Sequence, residues 1–150
     1  MRRFARLEDL RAQVGQDLGV SPWLVLDPAR IGHFAEATGD RQWIHVDPVR
    51  AAEGPFGGTV AHGFLTLALM AELADAAFEI GDVRMGVNYG LNRVRFPTPV
   101  RAGSRLRGHF RLLAFEPLPG GAQLTIEATL ALEGSDKPAC VAESVSRRFT

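Results

Sequence analysis

Between Thr59 and Leu73 the chain carries Val60, Ala61, Phe64, Leu65, Leu67, Ala68, Leu69, Met70, Ala71 and Leu73. A helix over this run is apolar nearly all round, so it must be buried on most faces. The sequence that follows predicts what wraps it. Val87, Tyr89 and Leu91 alternate with Asn88, Gly90 and Asn92, a strand pattern that Val94 and Phe96 carry on to the breaker Pro97-Thr98-Pro99. Leu106 to Phe115, Gln123 to Glu133 and Ala139 to Phe149 read as three further strands. Turns at Pro117-Leu118-Pro119-Gly120-Gly121 and Gly134-Ser135-Asp136 separate them.

The first half has helical character. Phe4, Leu7, Leu10, Val14 and Leu18 predict an amphipathic helix over residues 4–18, ended by Gly19 and Ser21-Pro22. Trp23 to Leu26 is a short strand. Asp27-Pro28 then opens a helix whose stripe is Ile31, Phe34, Ala35 and Thr38, with Gly39 as its left-handed terminator. Asp47-Pro48 opens a shorter helix through about Glu53, stopped by Gly54. Helices first and consecutive strands second give an α+β domain with an antiparallel sheet wrapped around the long helix. At 150 residues the chain is one domain, with residues 1–19 as an N-terminal helical extension.

Composition narrows the function. Seventeen basic residues balance seventeen acidic ones, so no general charge drives binding to nucleic acid or a membrane surface. The basic residues are arginines except for Lys137. Cys140 is the only cysteine, which excludes an internal disulfide and a cysteine metal cluster. Arg2, Arg3, Arg6 and Arg11 interrupt the N-terminus, unlike a secretory signal. Phe64 to Ala77, the longest apolar stretch, holds Glu72 and Asp75 and is too short to span a bilayer. A cytoplasmic protein is the expectation.

The chemistry concentrates around Phe34 to His45. Once Gly39 ends the helix, Asp40 and His45 are expected in irregular chain, where a carboxylate and an imidazole can meet around one water. Each residue alone has a plainer reading: Gly-Asp is a common turn, and a lone histidine is often a core or surface residue. Asp40, His45, Asp47 and His62 lack helical metal-ligand spacing such as His-x-x-x-His, so no metal is expected.

The run Ala35-x-Ala37-Thr38-Gly39-Asp40-x-x-x-Ile44-His45-x-Asp47, followed by Ala51-Ala52, resembles the signature of the MaoC-like dehydratases, the (R)-specific enoyl-CoA hydratases of hotdog fold. Ala61-His62-Gly63-Phe64, Arg95-Phe96-Pro97-x-Pro99-Val100 and Ala142-Glu143-Ser144 extend the resemblance from about residue 20 to the end. Many members have Asn-Pro where this chain has Gln42-Trp43, a pair at home in the nodulation-protein-N branch. The resemblance implies Asp40 and His45 as the acid–base pair and Gly63 as the backbone donor to the thioester oxygen. Gln42, in place of the asparagine amide, is a candidate oxyanion or substrate contact, and so is His62, for which a helix-start histidine facing solvent is the plainer alternative. Arg93 and Arg95, two apart on a strand face, are candidates for the coenzyme A phosphates. Phe64, Leu67 and Met70 could line an acyl tunnel or simply pack the core.

The activity so implied is reversible hydration of a trans-2-enoyl-CoA to the (3R)-hydroxyacyl-CoA by a homodimer, with coenzyme A as part of the substrate and no further cofactor. A dehydratase acting on acyl carrier protein, docked through the arginines from Arg93 to Arg107, is the alternative within the same chemistry. A hotdog thioesterase and a non-catalytic acyl-CoA binder are the others.

Overall fold

The computed structural model describes residues 1–150. Strand β1 (Arg2–Phe4) leads to a 3-10 helix (Leu7–Gln13), then β2 (Asp17–Val20), β3 (Leu24–Val25), α1 (Pro28–Thr38), α2 (Trp43–Val46) and α3 (Pro48–Ala52). The central helix follows as α4 (Gly63–Ala68) and α5 (Met70–Ala77), and the chain ends in β4 (Phe78–Ile80), β5 (Met85–Arg95), β6 (Arg105–Leu118), β7 (Gly121–Leu132) and β8 (Cys140–Phe149). The main sheet has the order β2-β6-β7-β8-β5, antiparallel throughout, with β3 also on β6. A small parallel pair, β1 with β4, lies apart from it.

The sheet holds the helix as expected of a hotdog fold. Leu65, Leu69 and Leu73 are buried together with Phe110, Leu112, Leu124, Leu130 and Ala142 of the strands. Burying each of these large side chains contributes about 1.5–3 kcal/mol. Alternation along β7 is regular, with Ala122, Leu124, Ile126, Ala128 and Leu130 turned inward. Cys140 belongs to this core, and burial pushes its thiol up to about 11, so it is not a nucleophile near neutral pH.

Three expectations change. Residues 4–18 are not one helix: Phe4 is in β1, Leu7 and Leu10 are buried in the 3-10 helix, and Leu18 is the inward residue of β2. The spacing of three from Leu7 to Leu10 fits the tighter helix. Val14 is exposed, and Gly15, at φ +83°, ends the element. The long helix starts at Gly63 rather than Thr59, because the backbone of Thr59 to Ala61 is bonded to that of Val100 to Ala102. It also divides at Leu69, although the bonds Leu69 N–H to Leu65 O and Leu73 N–H to Leu69 O, both 3.0 Å, carry the helix through the junction. Finally, the helix is not covered all round. Phe64 is 72% exposed, and Ala68, Ala71 and Glu72 are open to solvent. No helix is long and apolar enough to cross a membrane.

Candidate active site

Local chemistry aims α1 at the site. The Asp27 carboxylate accepts the Arg30 N–H at 2.9 Å, and Pro28 occupies the first helical position. Ile31 and Ala35 anchor the buried face. Gly39 ends the helix at φ +77°, and its N–H bonds the Ala35 carbonyl at 2.9 Å. That left-handed residue turns the chain so that Asp40 leaves the helix axis. Arg41 pairs with Glu36 at 2.6 Å, so the nearest cation in sequence is engaged away from Asp40.

His45 does not sit in irregular chain as the sequence implied. It lies on the single turn α2, where its N–H bonds the Gln42 carbonyl at 2.9 Å. The turn is tied to the chain before α4 by Val60 N–H to Ile44 O at 3.0 Å. Asp47 caps α3 by accepting the Arg50 N–H at 3.0 Å, which accounts for this second Asp-Pro pair structurally. Trp43 packs this loop: its ring stacks beneath the Arg50 guanidinium and lies against Gly54.

These elements bring Asp40, His45 and His62 together. One carboxylate oxygen and one nitrogen from each ring lie within 4.8 Å of one another. The Val60 carbonyl sits 2.6 Å from His45 Nδ1. A carbonyl can only accept, so Nδ1 carries the hydrogen, and the neutral ring keeps its lone pair on Nε2. His62 Nε2 in the same way donates to the Asp40 main-chain carbonyl at 2.9 Å. The two imidazoles stack with centroids 3.7 Å apart and planes 25° apart. An ion bound at the usual ~2 Å by both nitrogens would lie far out of at least one ring plane, so this cluster is poorly shaped for a metal.

A pocket of about 410 Å³ opens beside His45, bounded by Val60, Gly63, Thr66, Phe96 and Pro99. Gly63 is the first residue of α4, and its N–H has no partner within the chain. A Cβ there would come within 3.1 Å of the Phe96 ring, so the missing side chain leaves room for that ring beside the helix start.

The other candidates are dispersed. Gln42 is exposed at the start of α2 and does not line the pocket. His62, far from facing solvent, is 2% exposed and lies behind His45. Arg93 and Arg95 share the outer face of β5, while Val94 between them packs against the core. They do not border the pocket, and Arg95 bonds the Val94 carbonyl at 2.7 Å. Arg105 is paired with Glu133 at 2.8 Å, and Arg107 lies over the Trp23 ring, as an ordinary charged sheet face would. Leu67 and Met70 line a separate cavity of about 480 Å³ between the helix and β5, and Phe64 does not.

Comparison with known proteins returns one family model, described as a MaoC-like domain, over residues 9–116. The 3-hydroxyacyl-thioester dehydratase Z of Mycobacterium tuberculosis is 51% identical over 148 residues, 98% of each chain. Nodulation protein N of Rhizobium leguminosarum bv. viciae is 46% identical over 144 residues, 93% of this chain and 89% of the relative. Among solved structures, the R-hydratase PhaJ1 of Pseudomonas aeruginosa superposes with a TM-score of 0.73 at 24% identity, covering 91% of this chain and 81% of that one. This last likeness establishes the fold.

Proposed function

The chain belongs to the MaoC-like domain family of hotdog dehydratases, and from that membership we propose that it is an (R)-specific enoyl-CoA hydratase, equally a (3R)-hydroxyacyl-CoA dehydratase. The observation that carries the reading is the meeting of Asp40 with His45, which itself lines a pocket walled by the free amide end of α4; Asp40 approaches that pocket through His45 and is not part of its wall. Hydration adds the oxygen of water to carbon three and a proton to carbon two of the enoyl thioester. The Asp40 carboxylate holds the water, His45 Nε2 accepts its proton, and the pair between them returns a proton to carbon two. Charge growing on the thioester oxygen is met by the Gly63 N–H. No dissociable cofactor enters this scheme; coenzyme A is the substrate's handle.

The working form is proposed to be a homodimer. Asp40 is exposed in the single chain, whereas acid–base chemistry of this kind benefits from a dry site. Met85, Val87, Tyr89 and Leu91 are exposed on β5, the open edge of the sheet, and Phe64 and Phe96 are exposed beside the pocket. An edge this long and apolar is unstable alone and suits a second copy. Val87→Lys with Leu91→Lys should convert a dimer seen by light scattering into a monomer, weakening association by at least about tenfold per ~1.4 kcal/mol lost. Activity should fall with the dimer fraction. An unchanged mass would place the interface elsewhere.

The direct test is crotonyl-CoA with purified protein. The expected product is (R)-3-hydroxybutyryl-CoA with no free thiol. The (S) product would remove the assignment, and thiol release would indicate a thioesterase. Turnover confined to acyl carrier protein thioesters would move the substrate to that carrier.

A further inference from the structure

His62 is buried at the site, yet the reaction proposed above makes no use of it. Its ring is packed between Phe34, with centroids 4.9 Å apart, and His45. Nε2–H is spent on the Asp40 main-chain carbonyl at 2.9 Å. Nδ1 is therefore left with a lone pair, and it is buried with no partner. An unsatisfied buried acceptor destabilises a fold. A phenylalanine here would keep the stack on Phe34 and His45 and remove that penalty. What the histidine supplies and a hydrocarbon ring cannot is the hydrogen bond to Asp40.

That bond matters because little else holds Asp40. Its N–H reaches Thr38 Oγ1 at 3.4 Å, and its carboxylate accepts the Gln42 N–H at 3.5 Å, both near the limit of a hydrogen bond. The 2.9 Å contact from His62 is the short one. We propose that His62 is a positioning residue, which pins the Asp40 backbone through Nε2–H while its ring face backs His45, so that one buried side chain sets the separation of the catalytic carboxylate and imidazole. It touches no substrate; it acts through the other two. This rests on the hydratase reading only for its kinetic arm.

His62→Phe keeps the ring and deletes the donor. His62→Gln restores a donor at similar reach and deletes the ring. A misplacement of about 1 Å can cost ~100-fold, so His62→Phe should lower kcat by about that factor with little change in KM. Its melting temperature should hold or rise, because the orphaned acceptor is gone. Amide hydrogen exchange at residues 40–42 should speed up while α1 is unaffected. His62→Gln should recover much of the lost kcat and slow that exchange again. A purely structural residue predicts the opposite pattern: falling thermal stability in step with activity, and no rescue by glutamine. Either that pattern or wild-type kcat and exchange in His62→Phe would overturn the proposal. The exchange arm stands apart from the reaction, so a wild-type protein that hydrates no enoyl thioester would sink the hydratase reading and leave the clamp to be decided by exchange.

Discussion

Asp40→Asn and His45→Gln should each lower crotonyl-CoA hydration by about 10²–10⁴-fold, the usual contribution of a positioned acid–base group. Asparagine keeps the shape of the aspartate and one accepting oxygen, but it is neutral and carries a donating amide in place of the second oxygen, so it can neither take a proton nor hold the water with a carboxylate's charge. Asp40 is exposed and free of ion pairs, so the fold has little to lose. Surface substitutions of this kind fall within about 0.5 kcal/mol. Glutamine at position 45 retains an amide that can reach the Val60 carbonyl, which His45 Nδ1 now meets at 2.6 Å. It has no ring nitrogen to take and return a proton. The two groups act on one water, so the double variant should be no slower than the worse single one, as happens when residues work as a unit. Circular dichroism and melting temperature should match the wild type in all three. Near-normal rates in both single variants would show that the chemistry lies elsewhere in the pocket.

The sequence was most legible where one side chain decides the local structure. Asp27-Pro28 and Gly39 bound α1 as read, because a capping carboxylate, a fixed proline φ and a left-handed glycine each act within a few residues. The strands β5 to β8 followed from alternation and turn residues. The N-terminus misled because Phe4, Leu7, Leu10 and Leu18 are buried by three different elements whose inward positions happen to fall at helical intervals. The start of the long helix was misplaced because the partners of Thr59 to Ala61 are backbone groups forty residues away, which no local pattern reports. The same holds at the site. Asp40 and His45 stood out by residue type, but the Val60 carbonyl that sets the His45 tautomer is a main-chain atom and has no signature in the sequence. His62 was visible as a candidate, and only its burial and its bond to Asp40 distinguish a supporting role from a pocket wall.

Gly63→Pro should lower kcat by about 10²–10³-fold, the loss typical of one oxyanion donor, while leaving the helix in place. Position 63 tolerates the change. Gly63 is the first residue of α4, where an N–H has no acceptor within the helix, so proline removes no structural bond there. Its predecessor His62 has φ −59° and ψ 140°, the extended conformation that a following proline requires. The first helical bond, Thr66 N–H to the His62 carbonyl at 3.0 Å, is untouched. Proline also adds a Cβ, which at this position would lie 3.1 Å from the Phe96 ring. Gly63→Ala is the control, because it adds the same atom and keeps the N–H. Phe96 is itself exposed and has room to move aside, so alanine should cost far less than proline. The ratio of the two variants then removes the effect of Cβ and reads the loss of the N–H together with the ring carbon that takes its place. Equal losses in both would mean that position 63 matters only for the space it leaves, and that the developing charge on the thioester is met by some other donor.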